Sequence, residues 1–184
     1  MAAAAALMLC ICAHCGPAYA AEDDDALVLE SINFKINHRI VFMDDEANWG
    51  VPDYWATPEE TYARGAGDCE DYAIAKYFAL REAGLPAKQL RLIYAELRIG
   101  GADGLTRRHI VLAYLPQRGA PGSERILDNV IDEVRPLTRR PDLHVLLSFD
   151  TEGVWHELDR GVPARSAHEI RRWSGVLSRM AAEP

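Results

Sequence analysis

The stretch Gly65-Ala66-Gly67-Asp68-Cys69-Glu70-Asp71, running directly into YAIAKYFALREAG (residues 72–84), decides how the rest of the chain is read. Its second half is rich in Ala, Leu, Tyr and Phe and closes on Gly84, the composition of a well-formed helix with a glycine stop. Asp68 takes the N-cap position and Asp71 the third helical position, so Cys69 falls on the first turn. There the unpaired amides and the positive end of the helix dipole favour a thiolate over a thiol.

Upstream, Thr57-Pro58-Glu59-Glu60 carries an N-cap threonine, proline at the first helical position and glutamate three residues after the cap, which predicts a short helix to about Arg64 ended by Gly65. The segment from Asp44 to Trp55 is rich in Asp, Gly, Pro and Trp and reads as an irregular wall beside a cleft. From Ala26 to Ile40, Leu27, Leu29, Ile32, Ile36 and Ile40 recur mostly at helical spacing and predict an amphipathic first helix. Downstream the apolar period changes to two. The runs Leu90–Leu97, His109–Leu115, Arg125–Ile131 and Val145–Phe149 predict strands of one antiparallel sheet, joined through Gly100–Gly104 and Gly119–Ser123. A last amphipathic helix runs from Ala167 to about Met180, with Ile170, Trp173, Val176 and Leu177 on one side. The expected fold class is α+β, with helices packed on one antiparallel sheet.

The 184 residues, 49% hydrophobic and 26% charged, suit a single domain. A net charge of −8 with scattered Lys and Arg excludes a nucleic-acid binder, and Arg107-Arg108 and Arg139-Arg140 read as solvated turn residues. Residues 1–21 form a short apolar run closed by Ala-Tyr-Ala, the pattern of an export signal, so the mature domain is expected over 22–184, in the periplasm and not inserted in the membrane. Cys10, Cys12 and Cys15 would leave with that leader. Cys69 is then a lone thiol in an oxidising compartment.

A nucleophilic thiolate works with an imidazole to carry its proton and an acceptor to orient the ring. His109 heads an apolar strand and Asp128 lies in the following one, so a hairpin can bring both to the helix start. Taken alone, His109 also fits an ordinary strand end and Asp128 a turn acid. His38, His144, His156 and His168 compete for the base role, His156 most strongly. The Cys69 backbone N–H is a candidate oxyanion donor. The carboxylates at 68, 70 and 71 would repel a thiolate at 69, and a hard cation would cancel that field. Read without a metal, Asp68 and Asp71 are caps and Glu70 is solvated.

Several blocks stand in one order: DYWATP, GAGDCEDYAIAKYFAL, RRHIVLAYLP, ILDN, RRPDL and LLSFDTEG. Over about Phe34 to Trp155 the chain resembles the bacterial transglutaminase-like cysteine proteinases, and among them the LapG-type periplasmic proteases. The resemblance implies a papain-like or transglutaminase-like fold, peptide-bond hydrolysis, and Cys69, His109 and Asp128 as catalytic triad. It also implies calcium dependence, with Asp68 and Glu70 as ligands and Asp71 as a possible third. The implied substrate is a large surface adhesin cut near its amino-terminal region, and the implied partner an inner-membrane cyclic di-GMP receptor that sequesters the protease. Two other readings share the site: an acyl transferase, in which an amine resolves the thioester, and a calcium-binding module without turnover.

Overall fold

The computed structural model describes residues 18–101, 103–116, 122–158 and 161–182, with side chains from Asp25 onward. Residues 1–17 of the expected leader and residues 119–121 of the second connection lie outside it. Helix α1 spans Ala18–Arg39 and so begins inside the expected leader. Strand β1 (Val41–Phe42) and helix α2 (Asp45–Trp49) follow, then α3 (Pro58–Arg64), β2 (Ala66–Gly67) and the central helix α4 (Cys69–Glu82). The second half carries β3 (Leu90–Ile99), β4 (Leu105–Tyr114), β5 (Arg125–Leu127), β6 (Arg135–Pro136), β7 (Leu143–Phe149), β8 (Val154–His156) and helix α5 (Arg171–Ala182).

Strands β3 to β8 form one antiparallel sheet in the order β6-β5-β4-β3-β7-β8, with the long β3–β4 hairpin at its centre. The period-two pattern explains how this sheet is covered. Leu90 and Leu92 of β3, Ile110, Leu112 and Tyr114 of β4, Leu127 and Phe149 face the helices, where Ile74, Tyr77, Leu80, Trp173 and Val176 complete the main core. The alternate residues, Ile93, Ala95, Leu97, Val111, Ala113, Leu115, Ile126 and Leu143, form a second buried cluster on the far face, with Leu137, Val145 and Leu158 packed against it. Both faces are dry, so the central strands read as nearly continuous apolar runs. Among the described residues no helix is long and apolar enough to cross a membrane.

Helix α3 has the expected capping box, with Thr57 accepting from the Glu60 backbone N–H and Glu60 from the Thr57 N–H, and Gly65 ends it in the left-handed region at φ 67°. The helix expected from Ala167 starts with a separate 3₁₀ turn, Ala167–Glu169, before α5. The third expected strand stops at Leu127 rather than Ile131, because the Asp128 side chain accepts from the Val130 N–H at 3.1 Å and turns the backbone away from the ladder. Asp128 therefore sits one residue past the strand, not in it.

Trp173 is the largest fully buried side chain; its ring lies edge-on to Tyr77 and Phe149, and its indole N–H donates to the Asp150 carbonyl at 2.9 Å. Trp173→Ala should lower the unfolding free energy by about 3–5 kcal/mol. Urea denaturation measures this, and a loss below 1 kcal/mol would contradict the role given to α5.

Candidate active site

The loop before α4 is fixed from two sides. Strands β1 and β2 pair in parallel, Val41 with Ala66 and Phe42 with Gly67, which draws the loop toward the residues leading into α2. A side chain at 67 would force Asp71 to move: a Cβ there would lie 2.6 Å from Asp71 Oδ2 and 2.7 Å from Asp71 Cβ. Glycine thus lets the backbone rest on the Asp71 carboxylate. Helix α4 opens at Cys69, with Asp68 at the N-cap position but making no side-chain cap bond. Its dipole does not dominate the thiol. Burial, then the Glu70 carboxylate, which accepts from Sγ at 3.0 Å, and then Asp68 push the Cys69 thiol far above the ordinary thiol range, while the Ile110 backbone N–H pulls it down. Burial and the repulsion expected from the carboxylates at 68 and 70 thus outweigh the preference of the helix start for a thiolate.

His109 and Asp128 come together as expected. His109 lies in the middle of β4, which starts at Leu105 rather than at the histidine, opposite Ala95 of β3, and its Nε2 is 2.8 Å from Asp128 Oδ1. The second Asp128 oxygen accepts from Arg140 Nη2 at 2.8 Å. Burial pushes the Asp128 carboxyl up, but His109 and Arg140 outweigh it and hold it at about 2. Arg139 is exposed, whereas Arg140 is only 2% exposed. Reading that pair as solvated was wrong for Arg140, because a run of two arginines gives no sign of which one a distant carboxylate claims. Arg107 and Arg108 are exposed as expected, but they lie on strand β4 and not in a turn.

Cys69 and His109 line one cleft of about 270 Å³, together with Asp45, Asp53, Asp68, Glu70, Trp55, Tyr94 and Arg172. His38, His144, His156 and His168 are all exposed and none lines it. The irregular segment from Asp44 to Trp55 walls the cleft as read, although it contains helix α2.

The carboxylates around the nucleophile extend beyond 68, 70 and 71. Ligand oxygens of Asp45, Asp68 and Asp71 lie within 4.8 Å of one another, as do those of Asp45, Asp53 and Glu70. Three buried oxygens have no hydrogen-bond partner: Asp45 Oδ1, Asp68 Oδ1 and Asp71 Oδ2. The other oxygens of Asp45 and Asp71 are anchored by the Tyr54 N–H at 2.5 Å and the Ala56 N–H at 2.8 Å. Burial raises Asp45 to about 6 despite the Tyr54 N–H. It raises Asp68 to about 10 with Glu70 adding to the shift, and Asp71 to about 7 against the pull of the Ala56 N–H. Hard, oxygen-only donors converging with unpaired lone pairs fit a divalent cation of the Ca²⁺ type. Asp68 and Glu70 belong to this set, Asp71 joins them, and Asp45 and Asp53 were not singled out from sequence. Their signal was the acid-rich composition of the cleft wall.

An α+β sheet protein with a cysteine at a helix start, and in the same cleft a strand histidine backed by a buried aspartate, has the architecture of the papain and transglutaminase class. The model of the bacterial transglutaminase-like cysteine proteinases matches residues 9–161, and the chain belongs to that family. Among solved structures it is similar to calcium-bound LapG of Legionella pneumophila, at 34% identity and a TM-score of 0.70 over 84% of this chain and 79% of that one. EGTA-treated LapG of the same organism gives 32% identity and a TM-score of 0.71 over 84% and 78% of the two chains. No curated protein matches the chain.

Raised carboxyl groups bind protons more tightly in the folded than in the unfolded chain, whose carboxyls titrate near 4, so their stabilisation is complete below that pH and lost as pH rises through the folded values. In chelator, the melting temperature should therefore fall between pH 5 and pH 8 as Asp45 and Asp71 are forced to ionise, and added Ca²⁺ should flatten the fall. A chelated protein equally stable across that range would rule out the crowding. Gly67→Ala should push Asp71 aside and weaken cation affinity by roughly 10- to 100-fold in calorimetric titration, and undiminished affinity would exclude Asp71 as a ligand.

Proposed function

We propose that the chain is a calcium-dependent cysteine endopeptidase of the periplasm that cuts the amino-terminal region of a large surface adhesin, releasing it from the cell and promoting biofilm dispersal. The observation that carries the reading is His109, bonded to the buried Asp128, in one cleft with Cys69, in a chain of the cysteine proteinase family. Calcium-bound LapG, covered over most of its length, supports the metal; the adhesin substrate rests on the likeness to the LapG-type proteases. An inner-membrane cyclic di-GMP receptor completes the proposal as the partner that withholds the protease from its substrate.

The mechanism follows from the ring geometry. His109 Nε2 is held by Asp128, which leaves Nδ1 to exchange a proton with the Cys69 thiol. The sulfur attacks the scissile carbonyl, and the Cys69 backbone N–H at the helix start faces the developing oxyanion. The protonated imidazole then gives its proton to the departing amine, leaving a thioester. Water, deprotonated by the same nitrogen, releases the acid and restores the thiol. Asp128 stabilises the imidazolium in both halves. Asp68 and Glu70, joined by others of Asp45, Asp53 and Asp71, would hold the calcium ion, which would supply positive charge offsetting the carboxylates that crowd the sulfur.

Cys69→Ala should leave the fold intact and abolish cleavage, and the double change Asp68→Ala with Glu70→Ala should match chelator treatment. Mass spectrometry of shed adhesin fragments from cells carrying each variant is the decisive readout. Cleavage persisting in Cys69→Ala, or indifferent to chelator, would remove the mechanism or the metal respectively. An isopeptide product with an added amine and no cleavage would make the protein an acyl transferase. Shedding that ignores the cellular level of cyclic di-GMP would remove the receptor from the proposal.

A further inference from the structure

Asp128 does more than meet His109. It is 1% exposed and its two oxygens are fully committed: Oδ1 to His109 Nε2 and the Val130 N–H, Oδ2 to Arg140 Nη2. Arg140 is committed in turn. Its Nε lies 3.0 and 3.2 Å from the two oxygens of Asp142, and Nη2 is 2.7 Å from Asp142 Oδ2. Two residues, Arg140 and Asp142, flank Pro141 on a tight connection in which the Arg140 N–H donates to the Leu137 carbonyl and the Leu143 N–H to the Arg140 carbonyl. The guanidinium is thus a rigid plate with one edge on Asp142 and a corner on Asp128.

Resting on the reading of Cys69, His109 and Asp128 as the reacting set, we propose that Arg140, clamped by Asp142, is a positioning residue for the protease: it fixes the plane of the Asp128 carboxylate and so the orientation and tautomer of the His109 ring. A carboxylate bound only by His109 and Val130 could rotate about its Cβ–Cγ bond and present either oxygen. With Oδ2 tied to Arg140, Oδ1 alone meets the ring, and neutral His109 keeps its proton on Nε2 with Nδ1 free as base. Asp142 balances the guanidinium, so Arg140 orients Asp128 with little loss of its negative charge toward the imidazolium. The other charged groups facing Asp128 are His109 from β4 and the buried Lys76 from α4. Lys76 makes no hydrogen bond to it, so that neighbour contributes charge and not direction. Arg140 touches no part of the cleft surface and is not a catalytic residue.

The test compares wild type with Arg140→Met, Arg140→Lys and Asp142→Asn, all calcium-loaded, by peptide-cleavage kinetics and by the imidazole nitrogen shifts of His109. Losing a charge-assisted bond to the orienting carboxylate should lower kcat by roughly 10- to 100-fold in Arg140→Met with KM within about twofold. The Nε2–H signature of His109 should give way to a mixture of tautomers, Arg140→Lys should recover part of both, and Asp142→Asn should lose several-fold in kcat. A folded Arg140→Met with wild-type kcat and an unchanged His109 spectrum would overturn the proposal. If Arg140→Met does not fold, Arg140→Lys and Asp142→Asn decide: both indistinguishable from wild type in kcat and spectrum would overturn it equally. Failure of the catalytic reading itself is told apart by Cys69→Ala, whose retained activity would show that the set being positioned is not the reacting one.

Discussion

The structure depends on a concentration of negative charge that the fold builds and then anchors. Five carboxylates, from Asp45, Asp53, Asp68, Glu70 and Asp71, meet around the first turn of α4, and three of their buried oxygens find no donor. Buried polar atoms without partners cost free energy, and like charges in a shielded site cost more. That arrangement persists because the backbone holds it: the β1–β2 pair, the bare backbone at Gly67, and the Tyr54 and Ala56 N–H groups each fix one approach to the cluster. The nucleophile sits inside this field, its thiol donating to Glu70 at 3.0 Å.

The doubly covered sheet explains how such a strained corner can be carried. With Leu90, Leu92, Ile110 and Leu112 packed beneath the helices and Ile93, Ala95, Val111 and Ala113 packed on the other side, β3 and β4 cannot shift register without exposing one set or the other. His109 inherits that rigidity through its pairing with Ala95. α4 inherits it through Ile74, Tyr77 and Leu80, so the sulfur and the ring are presented by elements whose relative position the core sets.

Much of this was legible because it is local. The capping box at Thr57, the stop at Gly65, the start of α4 at Cys69 and the period-two runs that became β3, β4 and β7 follow from neighbouring residues alone. What escaped was set by distant partners. Two-residue strands such as β1 and β2 exist only because each finds the other, with no pattern of their own. Asp45 and Asp53 join the carboxylate cluster through the fold of the 44–55 segment, and Arg140 is buried because Asp128, twelve residues back, needs an acceptor's counterpart. The end of β5 was misplaced for a different reason: the Asp128 side chain accepts from the Val130 N–H two residues on, and this local turn outweighs strand propensity.

The molecule handles its buried acids in two opposite ways, and the contrast is informative. Asp128 is compensated internally: His109, Arg140 and the Val130 N–H satisfy both oxygens, and the carboxyl is held near 2 with no outside help. The cluster around Cys69 has nothing comparable. Arg172 pairs with Asp53, at 2.6 Å and with both side chains substantially exposed, where screening by solvent makes such a pair weak, and its pull on Asp45 does not outweigh that residue's burial. A fold able to bury an arginine against one aspartate had the means to bury another against Asp68 or Asp71. A fixed guanidinium there would occupy the mouth of the cleft beside the sulfur, whereas a cation that comes and goes leaves the same charge under external control. The orienting carboxylate thus stays ionised with its partners built into the chain, whereas the acids around the nucleophile are left for a bound cation to compensate.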